Sequence, residues 1–174
     1  CRPSGRSGID RSQQRRPVAL DVSVAVQVGQ FDLKVEFDVD LNSTTAILGP
    51  SGAGKTLTLR TIAGLLRPDH GHVSFGNRPL FNSLSKINVP ARERKAGLVF
   101  QDYMLFPHLS VANNIAYALS GTSTDTARCR VSEIIEMLGL IGLESSFPSN
   151  LSGGQKQRVA LGRALAPQPD FLLL

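Results

Sequence analysis

The amino-acid sequence predicts an α/β fold that combines an antiparallel β-subdomain with a helical subdomain. Residues 31–39 alternate strictly between apolar and charged side chains, as in a strand with one face in water. Residues 44–48 form a short uncharged run, which predicts a central parallel strand, and a Gly-rich turn leads from it into a helix over about 54–66. Beyond Gln101, apolar residues recur at helical spacing, which predicts a helical subdomain over about 102–150.

The remaining strands are predicted from shorter patterns. Residues 18–28 alternate in part and are expected to pair antiparallel with residues 31–39. Short strands are expected at 73–75 and 96–100, and the polar stretch 77–94, which contains two prolines, is expected to be a loop.

The C-terminal part of the sequence predicts one more helix and the beginning of one more strand. Residues 151–154 read as a turn, and residues 155–166 as a helix that Pro167 and Pro169 end. The strand is expected to begin at Asp170.

Composition is typical of a globular protein with one domain. The chain has 174 residues, of which 41% are hydrophobic and 19% charged, enough to bury a core. The net charge of +5 could suggest a nucleic-acid partner, but four of these charges fall within residues 1–17. We interpret residues 1–17 as a disordered or non-native leader rather than a nucleic-acid or membrane-surface arm, and assign it no function. Residues 18–174 are interpreted as a domain that is not expected to bind nucleic acid.

The ends of the chain predict a fragment. It begins with Cys1 rather than Met and ends in an apolar run, residues 171–174, so we expect the fold to be incomplete at its C-terminus. Cys1 and Cys129 form no motif with other Cys or His residues, which argues against a zinc site or a disulfide. No apolar stretch has the length of a membrane span, and no signal peptide is evident, so we expect a cytosolic product.

One segment has the pattern of a phosphate-binding loop, G-x-x-x-x-G-K-[ST], between a predicted strand and a predicted helix. Its residues are Gly49, Pro50, Ser51, Gly52, Ala53, Gly54, Lys55 and Thr56. Gly52 and Gly54 allow a sharp turn in which backbone N–H groups face phosphate oxygens, and the helix adds its positive end. Lys55 is predicted to contact the β- and γ-phosphates of ATP, and the Thr56 hydroxyl to bind Mg²⁺.

A second motif and a glutamine support a more specific interpretation. Residues 151–155 read Leu-Ser-Gly-Gly-Gln, and Gln101 follows a predicted buried strand. Together with the phosphate-binding loop, in this order, they resemble the signature motif and the Q-loop of ABC ATPases, over about residues 18–174. The resemblance implies a P-loop NTPase core and ATP hydrolysis in the intact family member.

The resemblance further implies that two ATPase domains pair head to tail, as a homodimer or with a related domain. Each ATP would lie between one phosphate-binding loop and the signature motif of the partner, where Ser152, Gly153, Gly154 and Gln155 contact phosphate. Gln101 would act in catalysis with Lys55, contacting Mg²⁺ and the attacking water.

Two departures from the family pattern affect the expected activity. Residues 170–174 are similar to the strand that leads to the second carboxylate motif, but its Asp and Glu are missing, as is the switch histidine. We therefore expect the fragment to bind ATP weakly at best and not to hydrolyse it. No base-stacking aromatic is obvious. Phe31 is a candidate, although we expect it to belong to the core.

The resemblance also narrows the kind of transporter. Residues 99–111 and 114–117 look like importer ATPases that serve oxyanions, polyamines, iron and sugars, and residues 46–56 and 89–97 look like those of molybdate importers. We expect molybdate, with sulfate, iron or polyamine as alternatives. The subunit would lie peripherally on the cytoplasmic side of the membrane, bound to integral-membrane permease subunits. A periplasmic or extracellular solute-binding protein would deliver the solute to these permease subunits.

An apolar cluster beside Gln101 is expected to be exposed and to form a docking groove for a helix of the membrane subunit. Its members are Tyr103, Met104, Leu105, Phe106 and Leu109. Some of them are expected to pack inside the helical subdomain, and at least two to face the partner.

Two other classes of function stay open. The first is an ABC ATPase without a transport role, of the DNA-repair or ribosome-associated kind. The sequence has no long insertion between its motifs and a nearly neutral body, which favours a transporter over a DNA-repair protein. The second is a degenerate nucleotide-binding module that lacks the catalytic carboxylates.

Overall fold

The structure is a computed structural model that describes residues 18–174, so the leader expected over residues 1–17 lies outside the described part. The described residues form two compact units. The first comprises residues 18–53 and 68–87, and the second residues 54–67 and 88–174. No helix in the described residues is long and apolar enough to cross a membrane.

A five-stranded sheet forms the first unit, with the strand order β2-β1-β3-β4-β5. Its strands are β1 (Val18–Val28), β2 (Phe31–Asp40), β3 (His70–Phe75), β4 (Arg78–Asn82) and β5 (Ile87–Asn88). Strand β1 pairs antiparallel with β2 on one side and with β3 on the other. The predicted pairing of residues 18–28 with residues 31–39 is therefore confirmed.

Alternation of side chains explains why β1 and β2 form. Val22 lies opposite Phe37 on one neighbour and Val73 on the other, and both valines are fully buried. Leu33 is buried as well, whereas Asp32 and Lys34 beside it are exposed. One face of the sheet thus carries the core and the other faces water, as the period of two predicts.

The prediction of a loop over residues 77–94 is wrong. This stretch contains β4, β5 and a short 3₁₀ helix, Ala91–Glu93. Leu80 and Phe81 are buried, and β4 pairs with β3 despite Pro79. Two adjacent large apolar side chains thus outweigh the polar residues around them, because their burial stabilises the strand.

The strand predicted over residues 44–48 is absent. Residues 43–50 have no regular structure, residues 41–50 are exposed, and Leu48 is 90% exposed. The segment belongs to neither sheet. A parallel strand is stabilised by neighbours on both sides and by burial of both faces, and among the described residues this segment has neither.

Four helices and a small parallel sheet form the second unit. They are α1 (Lys55–Ala63), β6 (Ala96–Leu98), α2 (Val111–Ala116), α3 (Thr124–Met137), α4 (Gly153–Leu165) and β7 (Phe171–Leu173). Helix α1 is shorter than predicted because Gly64, at φ 80°, ends it before Pro68. Strands β6 and β7 pair in parallel.

Helices α2, α3 and α4 share one core. Val111, Ile115, Ile134, Leu140 and Val159 are all fully buried within it. The helices predicted beyond Gln101 are therefore confirmed. That residues 102–150 form a separate subdomain stays a prediction. The observed fold, mixed helices with an antiparallel sheet, agrees with the predicted α/β class.

Candidate nucleotide-binding site

The phosphate-binding motif runs from the first unit, residues 49–53, into the second, residues 54–56. Its backbone turns at two glycines, Gly52 at φ 82° and Gly54 at φ 91°. The Ala53 N–H donates to the Pro50 carbonyl at 3.2 Å and closes the turn. Side chains rarely tolerate positive φ, so the two glycines are the residues that this backbone path requires.

The N-terminus of α1 carries the charged part of the motif. The helix begins at Lys55, and its N-cap residue, Gly54, makes no side-chain capping hydrogen bond. Thr56 is exposed and Lys55 is half-buried. The Thr58 hydroxyl donates to the Gly54 carbonyl at 3.1 Å and strengthens the first turn. The N-terminal end of a helix favours an anion, so this end of α1 has the character that phosphate requires.

The other end of α1 is held by a buried arginine. The Arg94 side chain, fully buried, donates to the carbonyls of Thr61 and Ile62 at 3.0 and 2.8 Å, and to the Val89 carbonyl at 2.9 Å. Burial lowers the pKa of Arg94. The carbonyls of Thr61 and Ile62 lie in the last turn of α1, where a helix leaves acceptors unpaired. Arg94 therefore ties the helix of the phosphate-binding motif to the segment before β6.

The Leu-Ser-Gly-Gly-Gln motif forms the start of α4. The Ser152 hydroxyl accepts from the Gln155 N–H at 3.3 Å, and the Gln155 side-chain oxygen accepts from the Ser152 N–H at 2.8 Å. This reciprocal capping box satisfies two donors at the helix start. Because the Ser152 oxygen acts as acceptor, its own hydroxyl proton can still be donated to a ligand.

The two glycines of this motif have no packing reason within the described residues. A Cβ built on Gly153 or Gly154 meets no atom within 4 Å, and neither residue has positive φ. Glycine near a helix start is less favourable than alanine. The pair therefore leaves an open backbone surface beside Ser152.

Gln101 lies in an exposed turn that follows β6. The next residues, Tyr103 and Met104, both have positive φ, 58° and 43°. The Tyr103 N–H donates to the Phe100 carbonyl at 2.9 Å. The direction in which the chain leaves Gln101 is thus set by an unusual turn.

Buried Asn114 of α2 holds the continuation of this segment. Its side chain accepts from the Phe106 N–H at 2.9 Å and donates to the carbonyls of Phe106, Leu109 and Ser110. A single amide thus satisfies both ends of the loop, as buried polar groups require.

Sequence reasoning missed Arg94, Asn114 and a third polar side chain, Arg163 of α4. Asn114 is fully buried and Arg163 half-buried. For Asn114 and Arg163 the available signal was a polar residue within a helix that also carries apolar residues, and such a residue can have a buried hydrogen-bonding role as well as an exposed one.

The predicted exposure of the apolar cluster beside Gln101 is wrong for most of its members. Only Met104 of the five is exposed, at 56%. The Phe106 ring lies 4.4 Å from the ring of Tyr117, and Leu105 packs against the core of the helices. These side chains are half-buried because α2 and its neighbours offer them apolar partners. The expectation that Phe31 belongs to the core is also wrong, since this side chain is 38% exposed.

The residues expected to bind Mg²⁺ are Thr56 and Gln101, which supply oxygen atoms but no carboxylate. The described residues contain no group of three or more His, Cys, Asp or Glu side chains that could hold a metal ion. Mg²⁺ is usually bound by one or two carboxylates together with phosphate oxygens and water. Thr56 and Gln101 are both exposed and fit the role of supplementary oxygen donors to an ion that phosphates mainly hold.

A glycine-rich turn with the pattern G-x-x-x-x-G-K-[ST] that opens a helix is typical of the P-loop nucleoside triphosphatases. Comparison with known proteins agrees. Residues 33–174 match the ABC transporter family, and the chain belongs to that family.

Curated relatives of two kinds are similar to the chain. The molybdenum import ATP-binding protein ModC of Photobacterium profundum is 40% identical over 155 residues, which is 89% of this chain and 42% of the relative. The sulfate/thiosulfate import ATP-binding protein CysA of Synechococcus elongatus is 45% identical over 164 residues, 91% of this chain and 46% of the relative. ModC of Haemophilus influenzae is 41% identical, with 89% and 43% covered. The chain thus spans less than half the length of these relatives.

Proposed function

We propose that the chain is the ATP-binding part of an importer ATPase, peripheral on the cytoplasmic side of the membrane, and that the intact protein hydrolyses ATP to drive import of an oxyanion, molybdate. One observation carries the proposal. The N-terminus of α4 is capped by Ser152 and Gln155 and leaves Gly153 and Gly154 open, a surface that suits a phosphate group from outside the chain.

The phosphate-binding loop supplies the first half of the proposed site. Gly52 and Gly54 turn the backbone so that N–H groups of residues 49–56 and the start of α1 can face phosphate oxygens. Lys55 would add a mobile positive charge for the β- and γ-phosphates. These residues bind and orient the nucleotide.

Gln101 and Thr56 would position the remaining participants. Mg²⁺, when bound, neutralises charge that develops on the transferred phosphoryl group. The Thr56 hydroxyl is a donor for that ion, and the Gln101 amide would orient the attacking water from the turn after β6.

The second half of the proposed site is the signature motif of a facing ATPase domain, in a homodimer or with a related partner. The Ser152 hydroxyl and the N–H groups of Gly153 and Gly154 would contact the γ-phosphate bound to the other domain. Closure would then depend on ATP, since neither half surrounds the nucleotide alone. The closure of the two ATPase domains would drive a conformational change in the permease subunits, which receive solute from a solute-binding protein outside the membrane.

The choice of solute is supported by similarity alone. Relatives named for molybdenum import and relatives named for sulfate import have comparable identities to the chain. Both solutes are oxyanions, and sulfate is therefore the second candidate. Uptake of labelled molybdate and labelled sulfate by cells with and without the intact gene separates the two. Loss of sulfate uptake alone would overturn molybdate as the solute.

Nucleotide binding is tested with Lys55→Ala in the protein made from the intact gene. We expect binding of a fluorescent ATP analogue to weaken at least about tenfold, because a phosphate contact from a charged donor is lost. Lys86→Ala is the matched control, since Lys86 is exposed in the turn between β4 and β5. Unchanged affinity and hydrolysis in Lys55→Ala would refute the proposal.

A further inference from the structure

The turn that follows Gln101 is held by a side chain from α4. Arg163 donates from Nη1 to the Met104 carbonyl at 2.7 Å and from Nη2 to the Tyr103 carbonyl at 2.9 Å. Its guanidinium carbon also lies 5.2 Å from the centre of the Phe106 ring. The planar fork of one arginine thus bridges two consecutive carbonyls, a geometry that a single lysine ammonium does not reproduce.

The conformation that Arg163 holds is one that its residues rarely adopt. Tyr103 and Met104 are both L-residues at positive φ, 58° and 43°, where the Cβ comes close to the backbone. Without an external partner, we expect the turn to relax towards negative φ. The two carbonyls that Arg163 binds belong to these same two residues, so the contact falls where the strain lies.

The Arg163 side chain is half-buried, and of its two bonds the one to Tyr103 is partly buried and the one to Met104 is exposed. Burial lowers the pKa of Arg163, and the ring of Phe106 covers one side of the guanidinium. The partly buried hydrogen bond to the Tyr103 carbonyl is therefore screened less than a bond on an open surface.

The position of Arg163 links the turn to the signature motif. Helix α4 begins at Gly153, directly after Ser152, and Arg163 lies within its last turns. The helix rises about 1.5 Å per residue, so the signature motif and Arg163 are on one rigid rod about 15 Å apart. Arg158, on the same helix, instead donates to the carbonyls of Leu138 and Gly139 at the end of α3.

We propose that Arg163 is a positioning residue that fixes the direction of the chain at Gln101 relative to the signature helix. It does so by holding Tyr103 and Met104 in their left-handed conformation. A movement of α4 would then move the turn, and with it Gln101. The catalytic consequence rests on the proposed function, whereas the structural one does not.

The experiment measures amide hydrogen exchange and ATP hydrolysis in the protein from the intact gene, with Arg163→Met and Arg163→Lys. We expect exchange across residues 101–106 to rise about tenfold in both variants, because the turn opens more often. We expect kcat to fall by about tenfold with the KM for ATP nearly unchanged, since Gln101 is misplaced and Lys55 is not.

A rescue separates positioning from packing. Met104→Gly removes the strain of positive φ, so the double variant with Arg163→Met should recover much of the protection and of kcat. If Arg163 only filled space, its loss would not be compensated by a glycine at position 104, which is 59 positions away in the sequence. Arg158→Met is the matched control and should leave exchange of 101–106 unchanged while it loosens the end of α3.

The outcomes are distinguishable. Unchanged exchange over 101–106 in Arg163→Met, or absence of rescue by Met104→Gly, would overturn the role of Arg163. If Arg163→Met fails to fold, Arg163→Lys alone carries the same comparison. Absence of ATP hydrolysis in the parent protein would refute the proposed function and leave the exchange result to decide on Arg163.

Discussion

The Arg94 guanidinium lies directly against Gly64, the residue that ends α1. A Cβ at position 64 would come within 2.5 Å of Arg94 Nε and 2.9 Å of Arg94 Cζ. Gly64 therefore has two reasons to be glycine, since its φ is also positive, at 80°. The close approach lets Arg94 reach the carbonyls of the last turn of α1.

Gly64→Ala should destabilise the protein more than an ordinary glycine substitution does. Positive φ alone costs about 1–2 kcal/mol for an L-residue, and displacement of buried Arg94 should add about 1–3 kcal/mol. Gly142→Ala is the matched control, because Gly142 has a similar φ, 83°, and open space where the Cβ would lie. Chemical unfolding of both variants measures the difference. Equal losses of stability would mean that the Arg94 side chain yields without cost.

Ser152→Ala should lower stability and weaken the response to ATP by separate routes. Loss of the N-cap should cost about 1 kcal/mol, and the proposed phosphate contact should be lost as well. Ser123→Ala is the control, because Ser123 caps α3 by accepting from the Thr126 N–H and lies outside the motif.

Unfolding in urea and ATP-dependent dimerisation in the protein from the intact gene measure the two effects of Ser152→Ala. We expect both serine variants to lose comparable stability and only Ser152→Ala to dimerise less with ATP. Equal dimerisation in the two variants would leave Ser152 as a helix cap alone.

Elements with a local signal could be predicted from the sequence. The alternation of β1 and β2, and the helix that follows the turn at residues 151–154, depend on neighbours in the chain, and both features occur in the structure. The strand predicted over residues 44–48 is absent, because a parallel strand depends on partners that are distant in the sequence. Strand β4 was missed because Leu80 and Phe81 are a short apolar pair within a polar stretch.

The candidate site shows the same division. The motif glycines and Lys55 were found because phosphate binding needs these residues at fixed spacing, and their roles towards ATP stay predictions. Arg94 and Arg163 were not found, since an arginine that binds carbonyls of a distant segment looks like a surface charge in the sequence. Their partners lie about 30 and 60 residues away, as with Ile62 and Tyr103.

Met104 is exposed beside half-buried neighbours, so substitutions in the segment after Gln101 can distinguish docking of a partner from folding of the chain. Met104 is 56% exposed, whereas the Phe106 ring contacts the ring of Tyr117 and the Arg163 guanidinium. If a permease helix docks on this segment, Met104→Glu should keep the melting temperature and abolish the stimulation of ATP hydrolysis by the permease. Phe106→Glu should instead lower stability by about 2–4 kcal/mol, because it places a charge among half-buried apolar groups.

Leu84→Glu is the control for Met104→Glu, since Leu84 is 93% exposed in the other unit and should leave coupling intact. Transport in vesicles and ATP hydrolysis, measured together, distinguish uncoupling from loss of fold. A Met104→Glu protein that transports normally would rule out docking through this side chain. The half-buried members of the cluster would then serve only to hold the turn after Gln101 against α2 and α4, because an apolar group that no partner covers gains nothing from exposure to water.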